Sequence, residues 1–227
     1  MDSLPVELKI AVASFVGDSR SLISLALVNK SFYGILKSCE AKLCGSLTSY
    51  SELTHDGLLP LAVAALNSEQ CLGMNSYPVQ SVASLIDEHF PDESSLNGAD
   101  FSNWQNIRSC LKLDDFYRVI NHYAAAITRI AGSNIPENHD NRPAFSQMEL
   151  VRVRKSLCVI QLLRNLFPRN FRIRPNGVMP TSQPMWRKLW SKLAPWELQQ
   201  VRCAHGLLAQ HLMNGKNPPE KYLSALI

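Results

Sequence analysis

Leu4-Pro5-Val6-Glu7-Leu8-Lys9-Ile10-Ala11-Val12-Ala13-Ser14-Phe15-Val16, then Gly17-Asp18-Ser19, then Ser21-Leu22-Ile23-Ser24-Leu25-Ala26-Leu27-Val28, decides how this chain is read. Leu4, Leu8, Val12 and Phe15 recur at helical spacing, and Pro5 stands near the start, where its missing N–H removes no helical bond. Val6, Ile10 and Ala13 form a second apolar stripe on another face, which leaves Glu7, Lys9 and Ser14 to face water. Gly17-Asp18-Ser19 breaks this helix. A second short helix starts at Ser21, and its apolar residues are nearly continuous. Asn29-Lys30-Ser31 restores polarity before Phe32, Tyr33, Ile35 and Leu36. Two short helices joined by a tight turn cannot cover each other's apolar surface on all sides. Either the rest of the chain covers it or another protein does.

Working outward, a Ser/Thr-rich connection runs from Ser46 to Thr54, and the blocks Leu58 to Leu66, Val79 to Phe90 and Leu113 to Ile130 have helical length and favourable residues. The last block closes at Gly132, and Ser133 to Pro143 reads as a loop dense in Asn, Pro and charge. Ser146 to Phe167 is periodic, with Leu150, Val153, Leu157, Ile160, Leu163 and Phe167 on one face, and Pro168 ends it. After a loop from Arg169 to Gln183, two more helices are expected at Met185 to Leu193 and Pro195 to Met213. The second opens on proline with Glu197 in its first turn, where a negative charge is favourable. Strand signals are almost absent and there is no internal repeat. The expected fold is all-α, a short amino-terminal module followed by an irregular helical domain. The expected divisions are 1–45 for the module, 46–56 for a connection and 57–227 for the helical domain.

Of the 227 residues, 46% are hydrophobic and 19% charged, enough apolar material for a core and too little charge for a disordered chain. No stretch reaches the ~20 uninterrupted apolar residues of a membrane-spanning helix, so no membrane is expected. Met1-Asp2-Ser3-Leu4-Pro5 carries an acid and a proline where a secretory leader carries basic residues, which points to a cytoplasmic or nuclear protein. Six cysteines (Cys39, Cys44, Cys71, Cys110, Cys158 and Cys203) are scattered without close pairing, so reduced thiols are expected. The net charge of +4 conceals a strong polarity: residues 1–150 hold 10 Lys/Arg against 17 Asp/Glu, and residues 151–192 hold 10 against none.

Leu4-Pro5 with Glu7-Leu8, then Val12, Phe15 and Val16, then Leu22, Leu25, Leu27, Val28 and Phe32, closely resembles the F-box motif in residue type and in spacing. That resemblance covers roughly Leu4 to Leu36. The chain departs from the common form in a turn one residue longer and without proline, in Asn29 where cysteine or serine is frequent, and in Phe32 where tryptophan is usual. The resemblance implies a module that docks on the adaptor subunit of an SCF-type cullin-RING ubiquitin ligase, and through it reaches the cullin. The remaining chain would then recruit an unknown protein substrate. It assigns adaptor binding to Leu4, Pro5, Leu8, Val12, Leu22, Leu25, Val28 and Phe32, some facing the adaptor and others locking the helices together. A second resemblance lies in Phe145-Ser146-Gln147-Met148-Glu149 with Arg152 and Arg154, and in Leu193-Ala194-Pro195-Trp196-Glu197 followed by Gln199-Gln200-Val201-Arg202-Cys203. These are similar to the carboxy-terminal helices of F-box-like proteins of filamentous fungi.

The basic stretch offers a further partner-binding patch at Arg152, Arg154, Lys155, Arg169, Arg172 and Arg174. It could follow a phosphate backbone, but no zinc-finger spacing or aromatic RNA-binding signature accompanies it. An intramolecular match to the acidic first half, or docking of an acidic partner, is preferred to nucleic acid. The alternatives to a ligase receptor are an interaction protein without a ubiquitin-ligase role and a basic nucleic-acid-associated factor. No metal, cofactor or catalytic constellation is expected. Cys203 and His205 read as an isolated couple that packs and caps, and His55-Asp56 and His139-Asp140 lack the partners of a metal-dependent phosphohydrolase. Phosphate loops, G-x-S-x-G and H-E-x-x-H are missing, so an enzyme is not expected. Trp104, Tyr117, Tyr123, Trp186, Trp190 and Trp196 are read chiefly as packing residues.

Overall fold

The computed structural model describes residues 4–69, 83–84, 86–87, 106–133, 145–166 and 183–214. Every regular element among them is helical, and the fold is all-α. The helices are α1 (Val6–Ser14), α2 (Ser19–Val28), α3 (Lys30–Tyr50), α4 (Glu52–His55), α5 (Leu59–Asn67), α6 (Ile107–Ser133), α7 (Gln147–Leu166), α8 (Gln183–Ser191) and α9 (Pro195–Asn214). The chain forms two compact units. One takes Met1–Leu59 with Gly98–Tyr117, the other Pro60–Asn97 with Arg118–Ile227. The segment 46–56, expected as a connection, instead holds the last turn of α3 and all of α4. Its Leu47 and Leu53 are buried, and this burial outweighs the weak helix propensity of the Ser/Thr residues around them.

In the first unit the starts of α2, α3 and α4 are fixed by the side chains of Asp18, Asn29 and Ser51. Asp18 caps α2, its carboxylate accepting the Ser21 N–H at 2.9 Å and the Ser21 hydroxyl at 2.7 Å. Helix α2 therefore starts at Ser19, two residues before the sequence suggests. Asn29 ends α2 and begins α3, its side-chain oxygen accepting from the Ser31 N–H at 2.8 Å. The core consists of Ala13, Leu22, Phe32, Ile35, Leu43 and Leu47, with Ile10, Val16, Leu25 and Leu36 packed against it. Helix α4 ends in a paired turn: the Gly57 N–H donates to the Thr54 carbonyl at 3.0 Å and the Leu58 N–H to that of Leu53 at 2.7 Å. This geometry needs the left-handed backbone that Gly57 supplies at φ 67°.

The start of α6 completes this unit from a distant part of the sequence. The Ile107 N–H donates to Glu40 at 2.8 Å, and the Ser109 N–H to the Asn106 side chain at 2.9 Å. Asp114 accepts from the backbone and hydroxyl of Ser19, Asp115 pairs with Arg20, and the Tyr117 hydroxyl donates to Glu52. Two carboxylates at the amino-terminal end of α2 carry the charge sign that end favours. Helix α6 begins six residues before the apolar block seen in the sequence, because these polar anchors and not hydrophobic periodicity define its first turns.

In the second unit Leu61 to Leu66 of α5 and Ser156 to Leu162 of α7 are continuously buried. The single face expected for α7 does not describe it: its middle is enclosed all round, while Leu150, Val153 and Leu163 are half-buried. Most of the buried polar groups in this middle are hydrogen-bonded, the Gln161 Oε1 being the exception. The Asn165 amide donates to the Ala65 carbonyl at 2.8 Å and to the Ser68 hydroxyl at 3.0 Å, and Gln161 donates to Asn165 at 3.0 Å. Helix α7 starts with a capping box, in which the Ser146 N–H donates to Glu149 at 2.7 Å and the Glu149 N–H to the Ser146 hydroxyl at 3.3 Å. Helices α7 and α9 pack together. Buried Tyr123 of α6 meets the His211 ring edge-on at 6.1 Å. The expected helix at Val79 to Phe90 and the loops Ser133 to Pro143 and Arg169 to Gln183 lie largely outside the described residues.

Candidate docking surface

Helix α1 is apolar on more than one face, and the structure divides those faces unequally. Ala13 is buried and Ile10 and Val16 pack against the first-unit core. Lys9, expected to face water, is instead only 4% exposed and donates to the Ser31 hydroxyl at 2.8 Å. The reason is its register, one turn before Ala13 on the inward face. The opposite stripe of Leu4, Leu8, Val12 and Phe15 remains open to solvent, with Leu8 52% and Phe15 87% exposed. Pro5 and Val6 are exposed beside it. A second open apolar group lies at the end of α2, where Leu27 and Val28 are exposed, and at Tyr33 in the first turn of α3.

The eight residues singled out from the sequence therefore separate into three sets. Leu4, Pro5, Leu8, Val12 and Val28 lie on the surface. Leu22 and Phe32, each 2% exposed, are enclosed in the unit's own core, and Leu25 is half-buried against it. The enclosed pair hold the helices together, and the outer five are the ones left open to solvent. Val6, Leu27, Phe15 and Tyr33 join the exposed apolar surface without having been assigned to it. Phe15 stands on the Leu4, Leu8 and Val12 stripe and Leu27 within the leucine-rich run, whereas Val6 and Tyr33 are marked only by an excess of apolar residues over what one buried face needs.

Of the proposed basic patch, the structure describes three residues. Arg152 is exposed, Arg154 and Lys155 are half-buried, and Arg169, Arg172 and Arg174 lie outside the described residues. Lys155 forms an ion pair with Glu197. Burial pushes the Glu197 carboxyl up, but the Lys155 ammonium and the Ala194 N–H together outweigh it and hold the group below its usual range. Lys188 pairs with Asp87, a match between the basic stretch and the acidic first half.

Cys44 and Cys110 are 66 positions apart in sequence yet meet in the first unit, the Cys110 sulfur 3.9 Å from the Cys44 carbonyl oxygen. The hydrogen bond with Cys110, followed by burial, pushes the Cys44 thiol well above its usual range. Burial pushes Cys158 up to about 12. Neither thiol is a nucleophile near neutral pH, since the thiolate is the reactive form. Cys203 and His205, expected to pack and cap, are both exposed on α9. His55 ends α4 with Asp56 as its cap, and His139-Asp140 lies outside the described residues. Among the aromatic residues, Tyr123 is buried, Tyr117 and Trp190 are half-buried, and Trp196 is 68% exposed, so Trp196 is not a packing residue. The Trp104 and Trp186 side chains lie outside the description.

Among the described residues no group of three or more His, Cys, Asp or Glu is placed to hold a metal ion, and no helix is long and apolar enough to cross a membrane. The chain matches no protein-family model, no curated protein and no solved structure.

Proposed function

We propose that the chain is an F-box-like receptor that docks through its first unit on the adaptor subunit of an SCF-type cullin-RING ubiquitin ligase and recruits a protein for ubiquitination. One observation carries the proposal: α1 buries its lysine and exposes Leu8, Val12 and Phe15. A chain that only had to complete its own fold would gain by the reverse arrangement, because burying a Leu or Phe side chain is worth about 1.5–3 kcal/mol. The open stripe gains that stabilisation when another subunit covers it. Leu4, Pro5, Leu8, Val12 and Val28 are assigned to the contact, Leu22 and Phe32 to the scaffold behind it. The receptor performs no bond chemistry. It holds a target close to the conjugating enzyme and so raises its effective concentration.

The test is co-purification with the adaptor. Leu8→Asp should abolish it, because a charge placed in an apolar contact adds its desolvation to the lost burial. Gln210→Asp, an exposed change on α9, should leave it intact. Unchanged adaptor binding by folded Leu8→Asp protein contradicts the proposal. In cells, loss of the chain should raise the steady-state level of at least one protein, and the same rise on Leu8→Asp substitution ties it to the adaptor.

A further inference from the structure

The first unit is assembled from two separate stretches of chain, Met1–Leu59 and Gly98–Tyr117, and Cys44 and Cys110 are where they bring two thiols together. Cys44 stands on α3 between the core residues Leu43 and Leu47 and is fully enclosed, while Cys110, 4% exposed, lies in the first turn of α6. The Cys110 sulfur is 3.9 Å from the Cys44 carbonyl oxygen, and the two thiols share a hydrogen bond. They are not equivalent. The bond from Cys44 outweighs burial and, with the Thr48 hydroxyl, holds the Cys110 thiol below its usual range, while the same bond and burial push Cys44 up. Cys110 therefore ionises first, and the first turn of a helix favours the resulting negative charge. Cys158 is as deeply buried but, among the described residues, shares no bond with another cysteine.

We propose that Cys44 and Cys110 are a reversible disulfide site, closed by hydrogen peroxide and opened by a dithiol reductant, which ties the start of α6 to α3. Sulfurs near enough to hydrogen-bond need only a small movement to reach the ~2.05 Å of an S–S bond. The Cys110 thiolate attacks one peroxide oxygen, the O–O bond breaks, and the departing hydroxide takes up the proton that Cys110 released, giving water. The Cys44 sulfur then displaces the hydroxyl of the Cys110 sulfenic acid as the S–S bond forms, and that hydroxyl leaves as water with the Cys44 proton. Two thiols lose two electrons and one peroxide is reduced to two waters. Cys44 is a poor nucleophile by itself, but contact with Cys110 gives it a high effective concentration. Without the disulfide, the start of α6 is held partly by the Arg20–Asp115 pair, whose side chains are both more than half exposed. A covalent tie between residues 66 positions apart restricts the unfolded chain far more than such a pair stabilises the folded one. This chemistry is independent of adaptor docking and is tested on the protein alone.

The test treats the full reduced chain with hydrogen peroxide in native buffer, blocks remaining thiols with N-ethylmaleimide in urea, and maps the cysteines by mass spectrometry. A Cys44–Cys110 disulfide should form within one chain and disappear on addition of dithiothreitol, while Cys158 stays a free thiol. The oxidised chain should unfold at a urea midpoint about 1 M or more above the reduced one. In Cys44→Ser protein Cys110 should accumulate as a sulfenic acid that dimedone traps, and Cys110→Ser should leave Cys44 a free thiol and remove the gain in midpoint. Cys44→Ala and Cys110→Ala, which bury no new hydroxyl, make the same comparison where a serine variant fails to fold, and the disulfide map needs no variant. No Cys44–Cys110 disulfide at millimolar peroxide, or one that forms only in urea, overturns the inference. So does preferential pairing of either residue with another cysteine, trapping of Cys44 in place of Cys110, or an unchanged midpoint in the oxidised chain.

Discussion

Leu8, Val12 and Phe15 lie open on α1, whereas Leu157, Val159 and Leu162 of α7 are fully enclosed, although each helix taken alone carries apolar residues on more than one face. The polar residues reverse in the same way. Helix α7 surrounds Ser156, Gln161 and Asn165 with protein and hydrogen-bonds them, while α1 encloses Lys9 and leaves its leucines in water. Apolar content therefore does not tell which helices the chain completes by itself. The distinguishing feature is where partners exist within the fold: α7 has α5 and α9, and α1 packs by its inner side on α3 and the core residues of α2.

The contrast can be broken most severely inside the first unit. Phe32→Ala should cost about 3–5 kcal/mol by urea unfolding, whereas Phe15→Ser, an equal loss of apolar bulk at an open position, should change stability by no more than about 0.5 kcal/mol. Comparable losses for the two would mean that the outer stripe is packed after all. The next effect belongs to α7. Asn165→Ala strips the Ala65 carbonyl of a donor and should cost about 1–3 kcal/mol. A neutral result would show that the polar interior of α7 is not structural. Gly57→Ala comes third. Nothing lies within 4 Å of an added methyl group, so the penalty is the left-handed backbone alone, about 1 kcal/mol. A loss well above that would reveal a steric role.

The smallest effect concerns acid. Because the folded Glu197 carboxyl is held below its usual range, the pair with Lys155 adds stability above the ordinary carboxylate pKa of about 4.3 and loses it as pH falls through the depressed value. The pair is partly exposed, so its worth is about 1 kcal/mol or less. Glu197→Gln should lower stability at pH 7 and have little effect at pH 2. An equal loss at both would deny the charge any part.

The sequence made most of the helices legible because their boundaries are local. Ser146-x-x-Glu149 marks the start of α7, and Pro195 with Glu197 that of α9, and both starts lie where the pattern puts them. The features it concealed depend on partners far along the chain. Helix α3 runs on through Ser46 and Thr48 because Leu43, Cys44 and Leu47 are buried, and no propensity carries that information. The first turns of α6 depend on Glu40, Ser19 and Arg20, and the meeting of Cys44 with Cys110 on that same long-range packing. For the open apolar stripe, helical spacing in the sequence marks Leu4, Leu8, Val12 and Phe15, but nothing in it tells which of Leu22, Leu25 and Phe32 turn inward. Nearly continuous apolar residues in α2 have no periodicity from which to read a face.

The most direct test of the docking account is a methyl NMR titration of the chain with the purified SCF adaptor. Resonances of Leu4, Leu8, Val12 and Val28 should shift on binding, and those of Leu157 and Leu162 should stay in place. Binding that leaves the α1 methyls unmoved, or no binding at all by folded protein, would contradict it.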